Sequence, residues 1–356
     1  MKTFHCTHCQ NLVFFENVKC LNCEHALAYL PDQNCMAALT QNPAGHWRLA
    51  DHDKSNQLYK LCSNYSEHDV CNWAVPAQEP ETLCRSCRLT QVIPDLGTPG
   101  NHAAWYRLET AKRRLIYTLL RFKLPLVGKT EQSPAGLSFE FLNDTTKPNG
   151  DRSRVMTGHD NGLITINVAE ADDVYREQQR TQQSEPYRTL LGHFRHEIGH
   201  YYWDQMIQTS PRLEEFRELF GDERADYQAA LNKHYESGPP ANWDRDFISS
   251  YASSHPWEDW AECWAHALHM SDTLEIAQSV GLQINPRRPD EPSLLPLPKP
   301  PSAGVATFDQ MIQAWFSLTY VLNNLSRGLG LPDSYPFVLS ARVVNKLRFV
   351  FATMTA

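Results

Sequence analysis

The residues with the clearest chemical potential are His196, Glu197 and His200, in the segment LGHFRHEIGHYYWD. Two histidines four positions apart share one face of a helix, so both imidazoles can bind one Zn²⁺ ion. The glutamate beside the first histidine can reach a metal-activated water and act as its general base. The motif therefore predicts metal-dependent hydrolysis, and ordinary core histidines are the alternative interpretation.

A catalytic zinc needs a third protein ligand and an open fourth position. Downstream, Glu258, Glu262 and His266 are spaced i, i+4, i+8 on one predicted helical face. One carboxylate of this face can bind the metal, while the other can orient a ligand histidine through its second ring nitrogen. A solvated helix face is the alternative for these glutamates, and Asp259 and Asp222 stay open as the acidic ligand.

Nine of the ten cysteines lie in the first quarter of the chain, and only Cys263 lies outside it. In a chain without an export signal, clustered cysteines more often hold metal than form disulfides. Two structural Zn²⁺ sites of four thiolates each are therefore expected, with Cys35 left over. The first cluster is Cys6, Cys9, Cys20 and Cys23, and the second is Cys62, Cys71, Cys84 and Cys87.

Composition narrows the class of protein. The chain has 356 residues, a formal charge of −8 and 42% apolar residues, which fits roughly two globular domains. No apolar run approaches membrane-spanning length, and the N-terminus MKTFHCTHCQ lacks a signal peptide's apolar stretch, so we expect a cytoplasmic protein without a membrane partner. Residues 1–100 hold seven basic and ten acidic side chains, which makes nucleic acid an unlikely partner.

The elements that must position these residues follow from apolar periodicity. A helix is predicted from Ala103 to Leu124, with the basic run Lys112-Arg113-Arg114 on a solvated face. Residues 171–236 are expected to be mostly helical, and Pro186 would start the active-site helix. The other predicted elements are strands at Leu137–Leu142 and Leu163–Val168, an extended proline-rich connection over 286–301, and helices near Phe308–Leu325 and Phe337–Phe351.

The active-site segments resemble the Glu-zincin peptidases of the anthrax lethal factor type. The resemblance lies in HEIGH followed by a tyrosine, six residues, a glutamate, three residues and a second glutamate. In that family the tyrosine stabilises the oxyanion, the first glutamate binds zinc and the second supports the site. The resemblance assigns these roles to Tyr251, Glu258 and Glu262, respectively, and simple packing is the alternative for Tyr251.

Over nearly its whole length, the chain more closely resembles bacterial zinc-binding metallopeptidases with an N-terminal zinc ribbon. The matching pieces are the cysteine clusters, CNWAVPA, CRLTQVIPDL, AKRRLIYTLLRFKLPL, HEIGHYYWD, FGDERADYQAAL and YASSHPWEDWAECWAHALHM. The resemblance implies an α+β protein with two small four-cysteine modules at 1–40 and 41–95. A mainly helical zincin-type domain with a small β-sheet would follow at 96–356.

The predicted function is zinc-dependent hydrolysis of a peptide or protein, on a narrow intracellular substrate. The strand Leu163–Val168 could align that substrate by edge pairing. The alternative is an adaptor in which the zinc ribbons recognise a protein partner and the peptidase fold is inactive. A DNA-associated protease is a third hypothesis, disfavoured by the acidic N-terminal segment and the N-terminal position of the ribbons.

Overall fold

The computed structural model describes residues 2–51, 57–146, 152–183, 185–285, 288 and 307–356. The chain divides into two compact units. The first comprises Met1–Tyr117, Leu126–Thr157 and Leu163–Asp172, and the second Thr118–Pro125, Gly158–Gly162 and Asp173–Ala356. Within the described ranges, no helix is both long and apolar enough to cross a membrane. The predicted proline-rich connection lies outside the described residues except at Arg288.

The described strands and helices are as follows. The strands are β1 Phe4–His5, β2 Leu12–Val13, β3 Ala26–Leu30, β4 Cys35–Gln41, β5 Trp47–Leu49, β6 Tyr59–Leu61, β7 Ala74–Pro76, β8 Thr90–Val92, β9 Ser138–Leu142, β10 Thr145–Thr146, β11 Arg152–Ser153, β12 Gly158–Asp160 and β13 Leu163–Asn167. The helices are α1 Ser63–Ser66, α2 Asn101–Arg121, α3 Asp173–Gln182, α4 Leu190–Met206, α5 Leu213–Phe220, α6 Tyr227–Ser237, α7 Pro256–Ser279, α8 Phe308–Gly328 and α9 Ala341–Met354. This content is α+β, as the sequence predicted.

An antiparallel five-stranded sheet organises the first unit, in the order β3-β4-β5-β6-β7. Because side chains alternate between the faces of a strand, β3 buries aliphatic residues on one face and Tyr29 on the other. The aliphatic face includes Ala28, Leu30, Ala37 and Leu39. Tyr29 packs among Phe4, Phe15, Trp73 and Tyr117. The border predicted at residues 40 and 41 falls inside β4, so one sheet joins the two predicted cysteine modules.

The strands near the middle of the chain form a second sheet. Within the first unit, β9 pairs in parallel with both β8 and β13. The predicted strand Leu163–Val168 exists as β13, which spans Leu163–Asn167 and pairs with β9. Edge pairing of a substrate along Leu163–Val168 stays a prediction.

Helices dominate the second unit, and α4 and α7 pack against each other. The start of α4 differs from the prediction, because the helix begins at Leu190 and not at Pro186. Thr189 caps it, accepting a hydrogen bond from the Gly192 amide through its hydroxyl. α7 begins at Pro256, directly after His255, whose side chain accepts a hydrogen bond from the Trp257 amide. These caps fix where each helix starts and so which side chains face the partner helix.

The two helices cross closely at Gly199. A Cβ at this position would lie 3.0 Å from Ala261 Cα and 3.1 Å from Trp264 Cβ, both on α7. The Trp260 indole also donates a 2.8 Å hydrogen bond to the Gly199 carbonyl. Absence of a side chain at Gly199 therefore lets the backbones approach and sets the spacing of the active-site residues on the two helices.

Replacement of Gly199 by alanine is expected to destabilise the protein by about 1–3 kcal/mol, because the α7 backbone must move away. At an exposed helical glycine the same substitution is expected to stabilise the protein, since alanine favours the helix over glycine by about 1 kcal/mol. Gly328→Ala is the control, because a Cβ there meets no atom within 4 Å. Denaturant unfolding measures both variants. A Gly199→Ala variant as stable as the parent protein would show that α4 and α7 do not cross as described.

Candidate active site and metal centres

Three side chains from α4 and α7 converge on one point. Glu258 Oε2 lies 2.9 Å from His196 Nε2 and 3.6 Å from His200 Nε2, and the two Nε2 atoms are 3.3 Å apart. Glu258 is only 1% exposed, and its Oε2 has no hydrogen-bond partner among the described residues. A buried carboxylate oxygen without a donor is costly, so this atom calls for a cation.

The spacing of these donor atoms fits zinc. Bonds of about 2.0–2.2 Å in a tetrahedron place neighbouring ligand atoms about 3.3–3.6 Å apart. Two of the observed separations, 3.3 and 3.6 Å, fall within this range, and the third, 2.9 Å, is slightly shorter. Two imidazoles and a carboxylate are also a ligand set used by catalytic zinc, with the fourth position left for water or substrate. The residues present therefore fit the metal that the sequence predicted.

Glu262 supports the site from one turn further along α7. Its Oε1 lies 2.8 Å from His196 Nδ1, the ring nitrogen directed away from Glu258. The Ser249 hydroxyl donates a 2.7 Å hydrogen bond to Glu262 Oε2. A carboxylate bound to the second nitrogen of a ligand histidine fixes its tautomer and orientation. The sequence predicted this role for Glu262 but not the role of Ser249, which sits in a serine-rich loop with no distinguishing spacing.

Glu197 lies between the two histidines in the sequence of α4 and is buried, with 8% of its surface exposed. Burial raises its pKa, while the nearby His196 and His200 act to lower it. A carboxylate with a raised pKa is better matched to accepting and returning a proton near neutral pH.

Two tyrosines border the site. The Tyr251 ring centroid lies 5.9 Å from that of His196, at the start of a short 3₁₀ helix, Tyr251–Ser253. Burial and the charge of Glu258 raise the pKa of Tyr251 well above its ordinary value, so its hydroxyl remains a donor. The second is Tyr227, whose hydroxyl donates a 2.5 Å hydrogen bond to Glu258 Oε1. Sequence reasoning assigned no role to Tyr227, although it lies in the quoted segment FGDERADYQAAL.

The alternative acidic ligands have other partners. Asp259 is fully buried and forms a 2.5 Å ion pair with Lys346. Asp222 is exposed and pairs with Arg224. Neither belongs to the group of donors formed by His196, His200 and Glu258. The three other histidines of this region have structural partners: His255 contacts the Ala225 carbonyl, His266 contacts Tyr335, and His269 contacts Arg195.

Both cysteine clusters assemble in the first unit. All ten cysteines are described, and all are free of disulfides. Zinc–sulfur bonds of about 2.3 Å place the sulfurs of a tetrahedral site about 3.8 Å apart. The Sγ atoms of Cys6 and Cys23 and of Cys9 and Cys20 are 3.6 Å apart, and those of Cys71 and Cys84 are 3.8 Å apart. Each set of four therefore has the geometry of a four-cysteine zinc site.

The second cluster is fully buried and has counter-charges from α2. Lys112 and Arg113 are 0% and 2% exposed, so the prediction of a solvated basic face was wrong for these two residues. Glu109 accepts a 2.9 Å hydrogen bond from Lys112, and its Oε2 lies 3.8 Å from Cys87 Sγ. Burial lowers the pKa of Arg113, but the thiolates of Cys71 and Cys87 outweigh this effect and raise it.

These charges nearly balance around the metal. Four thiolates and one Zn²⁺ leave two negative charges, to which Glu109 adds a third. The cations Lys112 and Arg113 offset two of the three. Two residues of a basic run that is usually solvated are therefore buried here, Arg113 facing the thiolates and Lys112 paired with Glu109.

A helix with paired histidines, a glutamate from a second helix and a cysteine-rich zinc ribbon define a zinc-binding protein of the metallopeptidase class. Comparison with protein families places it further: the chain belongs to the family described as "Putative zinc-binding metallo-peptidase", whose model matches residues 101–353. A model described as a zinc-ribbon domain matches residues 3–98. The expected family membership is thus confirmed.

Similar proteins occur in mycobacteria. Uncharacterized proteins of Mycobacterium tuberculosis and Mycobacterium bovis are each 42% identical to this chain over 351 residues, which covers 98% of this chain and 94% of each relative. No solved structure matches the chain. The likeness of the site to the anthrax lethal factor type therefore stays a prediction.

Proposed function

We propose that this protein is a zinc-dependent peptidase that hydrolyses peptide bonds with Glu197 as the general base. The observation that carries the proposal is the convergence of His196, His200 and Glu258 on one point, with Glu197 between the two histidines in the chain. The family description of a zinc-binding metallo-peptidase supports the same chemistry.

Each residue has a distinct task in this mechanism. Zinc held by His196, His200 and Glu258 would polarise the scissile carbonyl and make a water molecule a better nucleophile. Glu197 accepts the proton of the attacking water and returns it to the leaving amine. Tyr251 donates a hydrogen bond to the developing oxyanion, a contact worth about 3–4 kcal/mol.

The proposed substrate is a peptide or protein, bound along β12. This strand belongs to the second unit and lies beside α4. Its central residue, His159, stacks at 6.3 Å on the His200 ring. An extended peptide that pairs with β12 would pass next to the metal ligands. We further propose a narrow range of substrates in the cytoplasm, where a general protease would be harmful.

Metal content tests the proposed site. We expect three zinc ions per native chain, and two in both His196→Ala and Glu258→Ala, by elemental analysis after removal of loosely bound metal. Asp222→Ala is the matched control, because this rival carboxylate is exposed and paired with Arg224. A native chain with only two zinc ions, unchanged by either substitution, would exclude the catalytic metal site.

The second candidate function is an adaptor whose zinc ribbons recognise a protein partner. Large exposed apolar side chains beside the first cysteine cluster favour it, with Phe14 72% and Leu21 91% exposed. An adaptor would bind three zinc ions and yet leave every peptide of a diverse library uncut. Specific cleavage that depends on Glu197 would reject this alternative.

A further inference from the structure

The two oxygens of the Glu258 carboxylate face different partners. Oε2 faces His196 and His200, while Oε1 accepts the hydrogen bond from the Tyr227 hydroxyl at 2.5 Å. Glu258 is 1% exposed, so water does not compete for either oxygen. A carboxylate can bind zinc through one oxygen or both, and a donor fixed on one oxygen leaves only the other for the metal.

Several contacts fix the position of Tyr227 next to Glu258. It is the first residue of α6, and Asp226 caps that helix by accepting a 2.9 Å hydrogen bond from the Ala229 amide. The Tyr227 ring packs edge-on against His255, at 5.2 Å, and Trp257, at 5.9 Å. Both of these residues belong to the first turn or cap of α7, which carries Glu258. The hydroxyl is therefore positioned by the same short stretch of chain that presents the ligand.

A further link joins the two helix starts. His255, the cap of α7, lies with its Nε2 3.1 Å from the Ala225 carbonyl, just ahead of α6. Across this junction the Tyr227 hydroxyl donates its hydrogen bond to Glu258 Oε1. The contact is thus a hydrogen bond to a buried anion, the kind whose loss leaves an unpaired charged oxygen.

We propose that Tyr227 is a positioning residue that makes Glu258 a one-oxygen metal ligand. The inference rests on the metal site of the proposed function, but not on peptide hydrolysis. Without the hydroxyl, Oε1 would lose its donor and the carboxylate would rotate toward the metal or away from it. Outer-shell partners of this kind typically change metal affinity by about 10–100-fold.

The test is Tyr227→Phe in the full-length chain, which removes only the hydroxyl and keeps the ring packing. We expect its third zinc ion to bind about 10–100-fold more weakly in competition with a chromophoric chelator, while the two cysteine-bound ions are unaffected. Tyr320→Phe is the matched control, because Tyr320 lies on α8 and is 51% exposed. Both variants should retain the two cysteine-bound zinc ions and a cooperative unfolding transition, which would show that they are folded.

Cobalt substitution gives a second readout. Co²⁺ in the native site and in Tyr227→Phe should show different visible spectra, since the number of bound carboxylate oxygens changes. Equal zinc affinity and equal Co²⁺ spectra in a chain that binds three zinc ions would overturn the role of Tyr227 alone. A native chain that binds only two zinc ions would instead reject the metal site on which the inference rests.

Discussion

Glu197→Gln is expected to lower the rate of peptide hydrolysis by about 10²–10⁴-fold while the third zinc ion stays bound. The amide has nearly the shape of the carboxylate but cannot accept the proton of the attacking water. The metal ligands His196, His200 and Glu258 are untouched, so zinc content should not change. Cleavage of a diverse peptide library, followed by mass spectrometry, measures the loss.

Stability provides a check on this prediction. Glutamine has nearly the size and shape of glutamate, so the variant should unfold at about the temperature of the parent protein. The control is Glu218→Gln, an exposed glutamate of α5, which should keep full activity. Undiminished cleavage by Glu197→Gln would refute Glu197 as the base.

Cys84→Ser is expected to remove one zinc ion and to unfold much of the first unit. Cys84 is 1% exposed, at the centre of the second cluster. Structural zinc contributes about 10–16 kcal/mol to small zinc-binding folds, more than a domain's usual net stability. Loss of a thiolate also leaves the buried Arg113 with less counter-charge.

Limited proteolysis and zinc analysis measure this effect. We expect rapid cleavage within residues 1–117 of the Cys84→Ser variant and a loss of one zinc ion per chain. Cys35→Ser is the control, because Cys35 is a free cysteine outside both clusters. Parent-like resistance to protease together with a full zinc content in Cys84→Ser would show that the second cluster holds no structural metal.

The parts of the site that share a helix could be predicted from sequence. Fixed helical spacing relates His196 to His200 and Glu258 to Glu262, so the periodicity alone grouped them in pairs. The residues that complete the site, Ser249 and Tyr227, come from other segments. Their roles depend on where α6 and the loop before α7 pack, which no spacing in the sequence reveals.

Predictions from local sequence patterns failed where a partner distant in the chain, or a capping residue, determined the burial of a side chain or the start of a helix. A basic run such as that of α2 is typical of a solvated face, but Arg113 faces the thiolates of Cys71 and Cys87, and Lys112 pairs with the buried Glu109. Pro186 suits the first turn of a helix, yet α4 starts only after the Thr189 cap. The strand at Leu163–Asn167 was located correctly, whereas its parallel pairing with β9 could not be read from the sequence.

The charges buried in α2 bear on how this protein can be divided or recombined. α2 lies within the residues matched by the metallo-peptidase model, yet its Arg113 faces thiolates of a cluster within the residues matched by the zinc-ribbon model. A fragment that starts at residue 101 would keep the Lys112–Glu109 pair but would leave Arg113 without the thiolates of Cys71 and Cys87. The zinc ribbon and the segment after it are therefore not interchangeable modules, and a foreign ribbon would require matching changes in α2.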